Sequence, residues 1–289
     1  MEHNIHHVTV IGAGAMGSQI AMVSALAGIS TTVVDVSSES LERAQSQLWY
    51  RVDRDVEKGR RTAHDVEAAK QRLNFSTDQD VAVANTDFVI EAAVEDLQIK
   101  RKIFAQLDQA APEHAILTTN SSNIMSSQIA DVTGRPDKVC NMHFFNPALV
   151  MAGVEVVPHE ATSQETIDTT VALTKAFGKE IIELKQEIPG FVANRLLNAI
   201  RVEALKLYDA GIADFQDIDR AARSALRHPM GPFELMDLVG IDVAYLVRMA
   251  EYEQTGDDAS KPHPLLKAKY ESGVFGRKTG SGWYDYAAS

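Results

Sequence analysis

Val8-Thr9-Val10-Ile11-Gly12-Ala13-Gly14-Ala15-Met16-Gly17 decides the fold. Four strand-forming residues run into a G-x-G-x-x-G turn, and an apolar, helix-compatible segment follows from Ala15 to Ala27. This is the pattern of the first βα turn of a dinucleotide-binding domain. Gly12 permits a tight turn, Gly14 lets the backbone approach a pyrophosphate, and Gly17 lets the helix pack close to the strand. The free N–H groups of the helix start, Ala15 and Met16 among them, are placed to receive phosphate oxygens. A second strand, Thr31-Thr32-Val33-Val34, ends at Asp35. An acid at that distance from the glycines suits hydrogen bonds to an adenosine ribose. The alternative is a merely structural glycine turn, and the strand, helix and acid around it weigh against that.

The bulk composition is that of a globular enzyme-sized chain. Its 289 residues suit one large domain or two modest ones, with 45% hydrophobic and 24% charged residues. A net charge of −12 argues against a general nucleic-acid or membrane surface. Cys140 is the only cysteine, which excludes an intramolecular disulfide and makes a cysteine-based metal site improbable. No apolar run approaches a membrane span, and the first strand begins too early to leave room for a secretory signal. These features imply a cytoplasmic protein. His3, His6 and His7 suggest a loose leader and strand start rather than a metal site.

Further strands are expected at 87–92, 115–119, 139–142, 154–157 and 180–184. The fold class is therefore α/β, a doubly wound Rossmann-type sheet, occupying 1–187. The stretch 41–73 is long, polar and helical, with no strand candidate, and reads as a helical pair broken near Gly59. Its local excess of Lys/Arg, including Arg51 and Lys58, suits phosphate binding; composition alone favours a solvated helix face laced with i,i+4 pairs. Glu95 and Lys100 lie just past the C-terminal end of the strand at 87–92, where ligands sit in open α/β sheets. Two more strands run into polar clusters, Asn120-Ser121-Ser122-Asn123 and His143-Phe144-Phe145-Asn146-Pro147. Glu155 is an acid inside an apolar strand, so it needs a partner, and His143 is the nearest sensible one. Beyond Pro189-Gly190 no strand-like run remains. An all-α domain over 188–289 follows, with helices near 191–210, 214–226 and 233–253, the last open to interruption at Gly240.

With these residues laid out, the chain resembles the 3-hydroxyacyl-CoA dehydrogenases, most of all the short 3-hydroxybutyryl-CoA type. The resemblance rests on the glycine turn, Asn120-Ser121-Ser122, HFFNPA at 143–148, VEVV at 154–157, PGFVANRLLN at 189–198, HPMGPFELMDLVG at 228–240 and KTGSGWYDY at 278–286. It implies an NAD-dependent oxidoreductase. His143 matches the family's catalytic base and Glu155 the acid that pairs with it. Ser122 matches a serine contacting substrate and cofactor, and Asn194 the asparagine that holds the substrate oxygen. Asp35, Glu95, Lys100, Asn146 and Lys278 match cofactor contacts. Lys58, with Arg51 on the same projecting helix, falls where the family contacts coenzyme A. A homodimer formed through the helical domain is the family's habit. On residue type alone, Ser122 is equally a turn former and Asn194 a helix-terminus residue.

Two departures touch the substrate's neighbourhood. Relatives usually carry a lysine beside the acid, where this chain has Met151-Ala152-Gly153; they read S-S-L where it has Ser121-Ser122-Asn123-Ile124. Acyl preference is thereby left open, as are a carrier-protein thioester or a non-CoA hydroxy acid as substrate. A catalytically silent nucleotide-binding relative is a third possibility, against which the intact Ser122, His143, Glu155 and Asn194 set argues.

Overall fold

The computed structural model describes residues 4–286 and divides into two compact units, Met1–Phe191 and Val192–Ser289. His3 lies outside the described residues.

The first unit is one eight-stranded sheet. Its strands are β1 (His7–Ile11), β2 (Ser30–Val34), β3 (Leu73–Ser76), β4 (Phe88–Glu91), β5 (Ile116–Thr119), β6 (Val139–Phe144), β7 (Gly153–Pro158) and β8 (Glu180–Glu183). They lie in the order β3-β2-β1-β4-β5-β6-β7-β8. Every neighbouring pair is parallel except β6 and β7, which run antiparallel. The chain reverses between β1 and β4, so the C-terminal edges of those strands frame a crevice of the kind that binds nucleotides. Helices cover both faces: α1 (Ala15–Leu26), α2 (Ser38–Glu57), α3 (Ala63–Arg72), α4 (Gln79–Val83), α5 (Leu97–Ala110), α6 (Ser127–Ala130) and α7 (Gln164–Ala176).

Strand alternation builds a core on each face. In β4, Phe88 and Ile90 join the cluster that also holds Val8, Val10, Ile20, Met22 and Leu48, while Val89 joins Phe104, Leu107, Leu117 and Ile129 on the other face. Successive side chains of a strand point to opposite faces, so β4 is apolar throughout because it is covered on both. Burying one such Phe or Ile side chain contributes about 1.5–3 kcal/mol.

The expected helical pair is present, but its end differs. Gly59, at φ 67°, breaks it after α2, and a left-handed residue is readily supplied by glycine. Thr62 then caps α3 by accepting from Asp65 N. Leu73–Ser76, where no strand was expected, is the edge strand β3, in parallel register with Thr31–Val34. Only Leu73 of its four residues is fully buried, so the strand offered little apolar signal. His7 belongs to β1, with Nε2 against Thr32 Oγ1 at 2.9 Å.

The second unit is helical: α8 (Ala193–Asp209), α9 (Phe215–Ser224), α10 (Pro232–Val239), α11 (Ile241–Thr255) and α12 (Pro264–Glu271). Gly240, at φ 114°, separates α10 from α11. Phe233, Trp283, Leu205 and Met236 form its core. Two buried carboxylates anchor the C-terminal segment. Asp237 accepts from Trp283 N and Tyr284 N, each at 2.9 Å, and Asp219 accepts from Phe233 N and the Tyr284 hydroxyl, each at 2.8 Å. No helix among the described residues is long and apolar enough to cross a membrane.

Candidate active site

The glycine turn packs as its spacing requires. A Cβ on Gly12 would sit 2.6 Å from Ala92 O, and one on Gly17 only 1.9 Å from Gly12 O; at Gly14 it would meet nothing within 4 Å. So Gly12 and Gly17 are fixed by packing, while Gly14 leaves open space where a ligand backbone approach is needed. Helix α1 has no capping side chain and no acid in its first turn. Its uncapped N–H groups at Gly14, Ala15 and Met16, with the positive end of the helix dipole, fit a pyrophosphate. Asp35 Oδ2 accepts from Ala13 N at 2.9 Å and Oδ1 from Ser37 N at 3.0 Å. Those bonds lock the carboxylate at the strand end and leave it acceptor capacity for hydroxyls. The residues present therefore suit a dinucleotide.

At the ends of β4 and β5 lies a buried network that sequence reasoning saw only in part. Lys100 is 1% exposed, and its ammonium donates to both oxygens of Glu91 at 2.7 and 2.8 Å. Glu95 Oε2 stands 3.5 Å from the same nitrogen. Glu91 also accepts from Ala93 N and the Thr119 hydroxyl. Lys100, expected as a cofactor contact, is thus engaged by carboxylates, and Glu95 is the member exposed to solvent. Glu95 in turn accepts from the Ser121 hydroxyl, whose oxygen accepts from Ile124 N at 2.8 Å. This pins the 120–124 loop and presents Ser122, half-buried, with no side-chain hydrogen bond among the described residues. Neither Glu91 nor Ser121 is given a role by the sequence. Glu91 carried a readable signal, an acid closing the apolar run Phe88-Val89-Ile90.

The antiparallel register of β6 and β7 places His143 directly opposite Glu155. Facing residues of an antiparallel pair share a face at short range, and His143 Nδ1 lies 2.8 Å from Glu155 Oε2. Glu155 is fully buried and His143 is 7% exposed. Phe145 packs edge-on against the imidazole at 4.7 Å and Phe191 lies at 5.6 Å, so the ring is held in place. An ionised carboxylate only accepts, so Nδ1 carries the proton and Nε2 keeps a lone pair for chemistry. The neighbouring strands are tied together. Asn120 Oδ1 accepts from Phe144 N, and Asn141 donates to Ser121 O and Ile124 O. Ser122 thus follows β5, and His143 lies in the last residues of the adjacent strand β6. Asn146, three residues past His143, is exposed. In the Met151-Ala152-Gly153 segment, Lys179 donates to Ala148 O and Met151 O, placing an ammonium near that backbone from a different position in the chain.

The helical pair is largely self-neutralised. Arg60 and Arg61 pair with Asp55, Lys70 with Asp53, and Arg54 lies over the Tyr50 ring. Arg51 and Lys58, seven apart on one face of α2 and its cap, have no acidic partner among the described residues. In the second unit, Asn194 sits in the first turn of α8, partly exposed. Lys278 is paired to Asp242 at 2.5 Å.

The 3-hydroxyacyl-CoA dehydrogenase NAD-binding domain profile matches residues 7–188, and the C-terminal domain profile of the same family matches 190–286. A probable 3-hydroxybutyryl-CoA dehydrogenase of Bacillus subtilis is 38% identical, covering 98% of each chain. The human mitochondrial hydroxyacyl-coenzyme A dehydrogenase is 38% identical over 98% of this chain and 91% of its own. The crystal structure of (S)-3-hydroxybutyryl-CoA dehydrogenase PaaH1 from Ralstonia eutropha superposes with a TM-score of 0.90 at 36% identity, covering 98% of this chain and 99% of the other. With its glycine turn, strand-end histidine and both domains matched, the chain belongs to the 3-hydroxyacyl-CoA dehydrogenase family.

Proposed function

We propose that this NAD-dependent dehydrogenase interconverts short-chain (S)-3-hydroxyacyl-CoA and 3-oxoacyl-CoA, using His143 and Glu155 as an acid/base pair. The observation that carries this reading is the cross-strand contact of 2.8 Å between a confined imidazole and a fully buried carboxylate. Oxidising a secondary alcohol removes the hydroxyl proton and, from the same carbon, a hydrogen with its bonding pair. NAD, when bound, supplies the acceptor for that hydride. His143 Nε2 takes the hydroxyl proton as general base, a role suited to histidine near neutral pH. Glu155 holds the ring in the tautomer that frees Nε2 and stabilises the imidazolium that forms. The Ser122 hydroxyl and the Asn194 amide donate to the substrate oxygen as its charge changes. In the reverse direction His143 returns the proton.

Within this reading Asp35 accepts from the adenosine ribose, Glu95, held by Lys100, and Asn146 line the cofactor's path, and Lys278 completes its contacts. Arg51 and Lys58, unpaired among the described residues, meet the adenosine phosphates of coenzyme A. Leu196, Leu238 and Leu246 are exposed on the second unit at 62%, 46% and 49%, which supports a homodimer joined there. We place the enzyme in the cytoplasm. The test is loss of NADH absorbance on adding acetoacetyl-CoA, repeated with free CoA as competitor. Turnover inhibited by CoA is the expected result; turnover of acetoacetyl thioesters indifferent to free CoA would favour a carrier-protein substrate instead.

A further inference from the structure

Glu91 is a fully buried acid to which the chemistry proposed above gives no part. Taking a carboxylate and an ammonium out of water is costly even when they pair, and apolar groups of similar volume often serve stability as well or better. Stability therefore explains the buried Glu91–Lys100 pair poorly, and the residues tied to it offer a better reason. They converge on Ser121. Glu91 Oε2 accepts from the Thr119 hydroxyl at 2.6 Å, and the same Thr119 oxygen accepts from Ser121 N at 3.2 Å. By a longer path, Glu91 holds the Lys100 ammonium, which stands 3.5 Å from Glu95 Oε2, and Glu95 Oε1 accepts from the Ser121 hydroxyl.

The N–H and the hydroxyl of Ser121 are thus fixed from one buried carboxylate by separate paths. Its carbonyl is held as well, accepting from Asn141 Nδ2 at 3.1 Å. Beyond Ser122, Asn123 N and Ile124 N both donate back to Ser121 Oγ, at 3.3 and 2.8 Å. Ser122 therefore sits in a closed turn whose backbone is held on either side of it. Its hydroxyl is half-buried and makes no side-chain hydrogen bond among the described residues, so its position is set by this turn. Lys100, 1% exposed, belongs to the same device: it links Glu95 to Glu91 from inside the protein.

We propose that Glu91 is a positioning residue for Ser122, acting through Thr119 on one side and through Lys100, Glu95 and the Ser121 hydroxyl on the other. The inference rests on the reading of Ser122 as a donor to the substrate oxygen. A donor displaced by a fraction of an ångström loses much of its effect on a transition state, because productive geometry is narrow.

The experiment measures kcat on acetoacetyl-CoA at saturating NADH, so that a weakened cofactor contact at Glu95 does not register in it. Thr119→Val cuts the short path, Ser121→Ala the long one, and Glu91→Gln disturbs both. Each is made alone and with Ser122→Ala. Ser122→Ala should lower kcat by about 10²-fold, as loss of a donor to a developing charge does. Thr119→Val and Ser121→Ala should each lower it by about 10-fold, and Glu91→Gln by more than either. In the Ser122→Ala background each should cost less than about twofold, because the placing of an absent hydroxyl has no effect on rate. If Glu91→Gln does not fold, Thr119→Val and Ser121→Ala decide the matter. Losses that persist in full beside Ser122→Ala overturn the inference. So does a kcat within twofold of wild type with only a lowered Tm or a raised KM for NADH, since the network is then structural or serves the cofactor alone. A Ser122→Ala enzyme as fast as wild type removes the reading of Ser122 and the inference with it; the loss of turnover in His143→Ala, measured alongside, shows whether the dehydrogenase reading survives.

Discussion

Replacing Glu155 with glutamine isolates its charge from its shape. The side chain keeps its length in a site where the carboxylate is fully buried and 2.8 Å from His143 Nδ1. At about 4 Å between charge centres and an effective dielectric of about 20, a full ion pair is worth ~4 kcal/mol. A transition state in which about half the imidazolium charge has developed loses ~2 kcal/mol, or about 30-fold in kcat. Glutamine adds a second fault. Its amide can donate to Nδ1 and hold the ring in the tautomer that protonates Nε2, so 30-fold is a lower bound. The assay is steady-state turnover of acetoacetyl-CoA, together with NADH affinity and thermal unfolding. We expect kcat to fall by at least about 30-fold with the Kd for NADH unchanged. The double variant with His143→Ala should be little worse than His143→Ala alone, because residues that act as a unit are not additive. A Glu155→Gln enzyme with kcat within twofold of wild type and only a lowered Tm would refute the reasoning, leaving Glu155 a structural acid.

NADH should be preferred to NADPH in kcat/KM, since Asp35 is locked at the end of β2 and repels a 2′-phosphate; Arg43 donates to Ser40 Oγ and is turned to its own helix, and equal use of both cofactors would sink this. Lys58→Ala should raise KM for acetoacetyl-CoA at low ionic strength, with the effect shrinking as salt screens an exposed contact; an unchanged KM in low salt would remove Lys58 from the substrate's path. Gly17→Ala, whose Cβ falls 1.9 Å from Gly12 O, should cost about 1–3 kcal/mol of stability and weaken NADH binding, seen by thermal denaturation with and without cofactor; wild-type NADH affinity in that variant would contradict the packing described. Burial pushes the Cys140 thiol up to about 12. It therefore stays protonated and should resist thiol reagents at mildly alkaline pH until the chain unfolds; rapid stoichiometric labelling of the native protein would disprove this.

What the sequence made legible follows from how strongly each residue is constrained locally. The glycine turn was readable because no larger side chain fits against Ala92 O or Gly12 O. Glu155 was readable because an acid in an apolar strand demands a partner, although the reason it meets His143 is the antiparallel register of β6 and β7, which periodicity does not reveal. The same argument applied to Glu91 finds the partner of Lys100; position past the strand and the family resemblance point only to a cofactor contact, and the burial of Lys100 comes from the fold. Strand β3 escaped because a four-residue edge strand follows directly on α3 and buries a single side chain fully.

The central claim is that hydride passes directly to C3 of a 3-oxoacyl thioester while His143 handles the proton. Acetoacetyl-CoA reduced with NADH deuterated at C4 of the nicotinamide, followed by mass spectrometry of the product, tests it most directly. Using the C4-deuterated epimer that the enzyme consumes, the account predicts one deuterium at C3 of 3-hydroxybutyryl-CoA, and turnover lowered by about 10²–10⁴-fold in His143→Ala. Product without deuterium at C3, or a His143→Ala enzyme as fast as wild type, would contradict it.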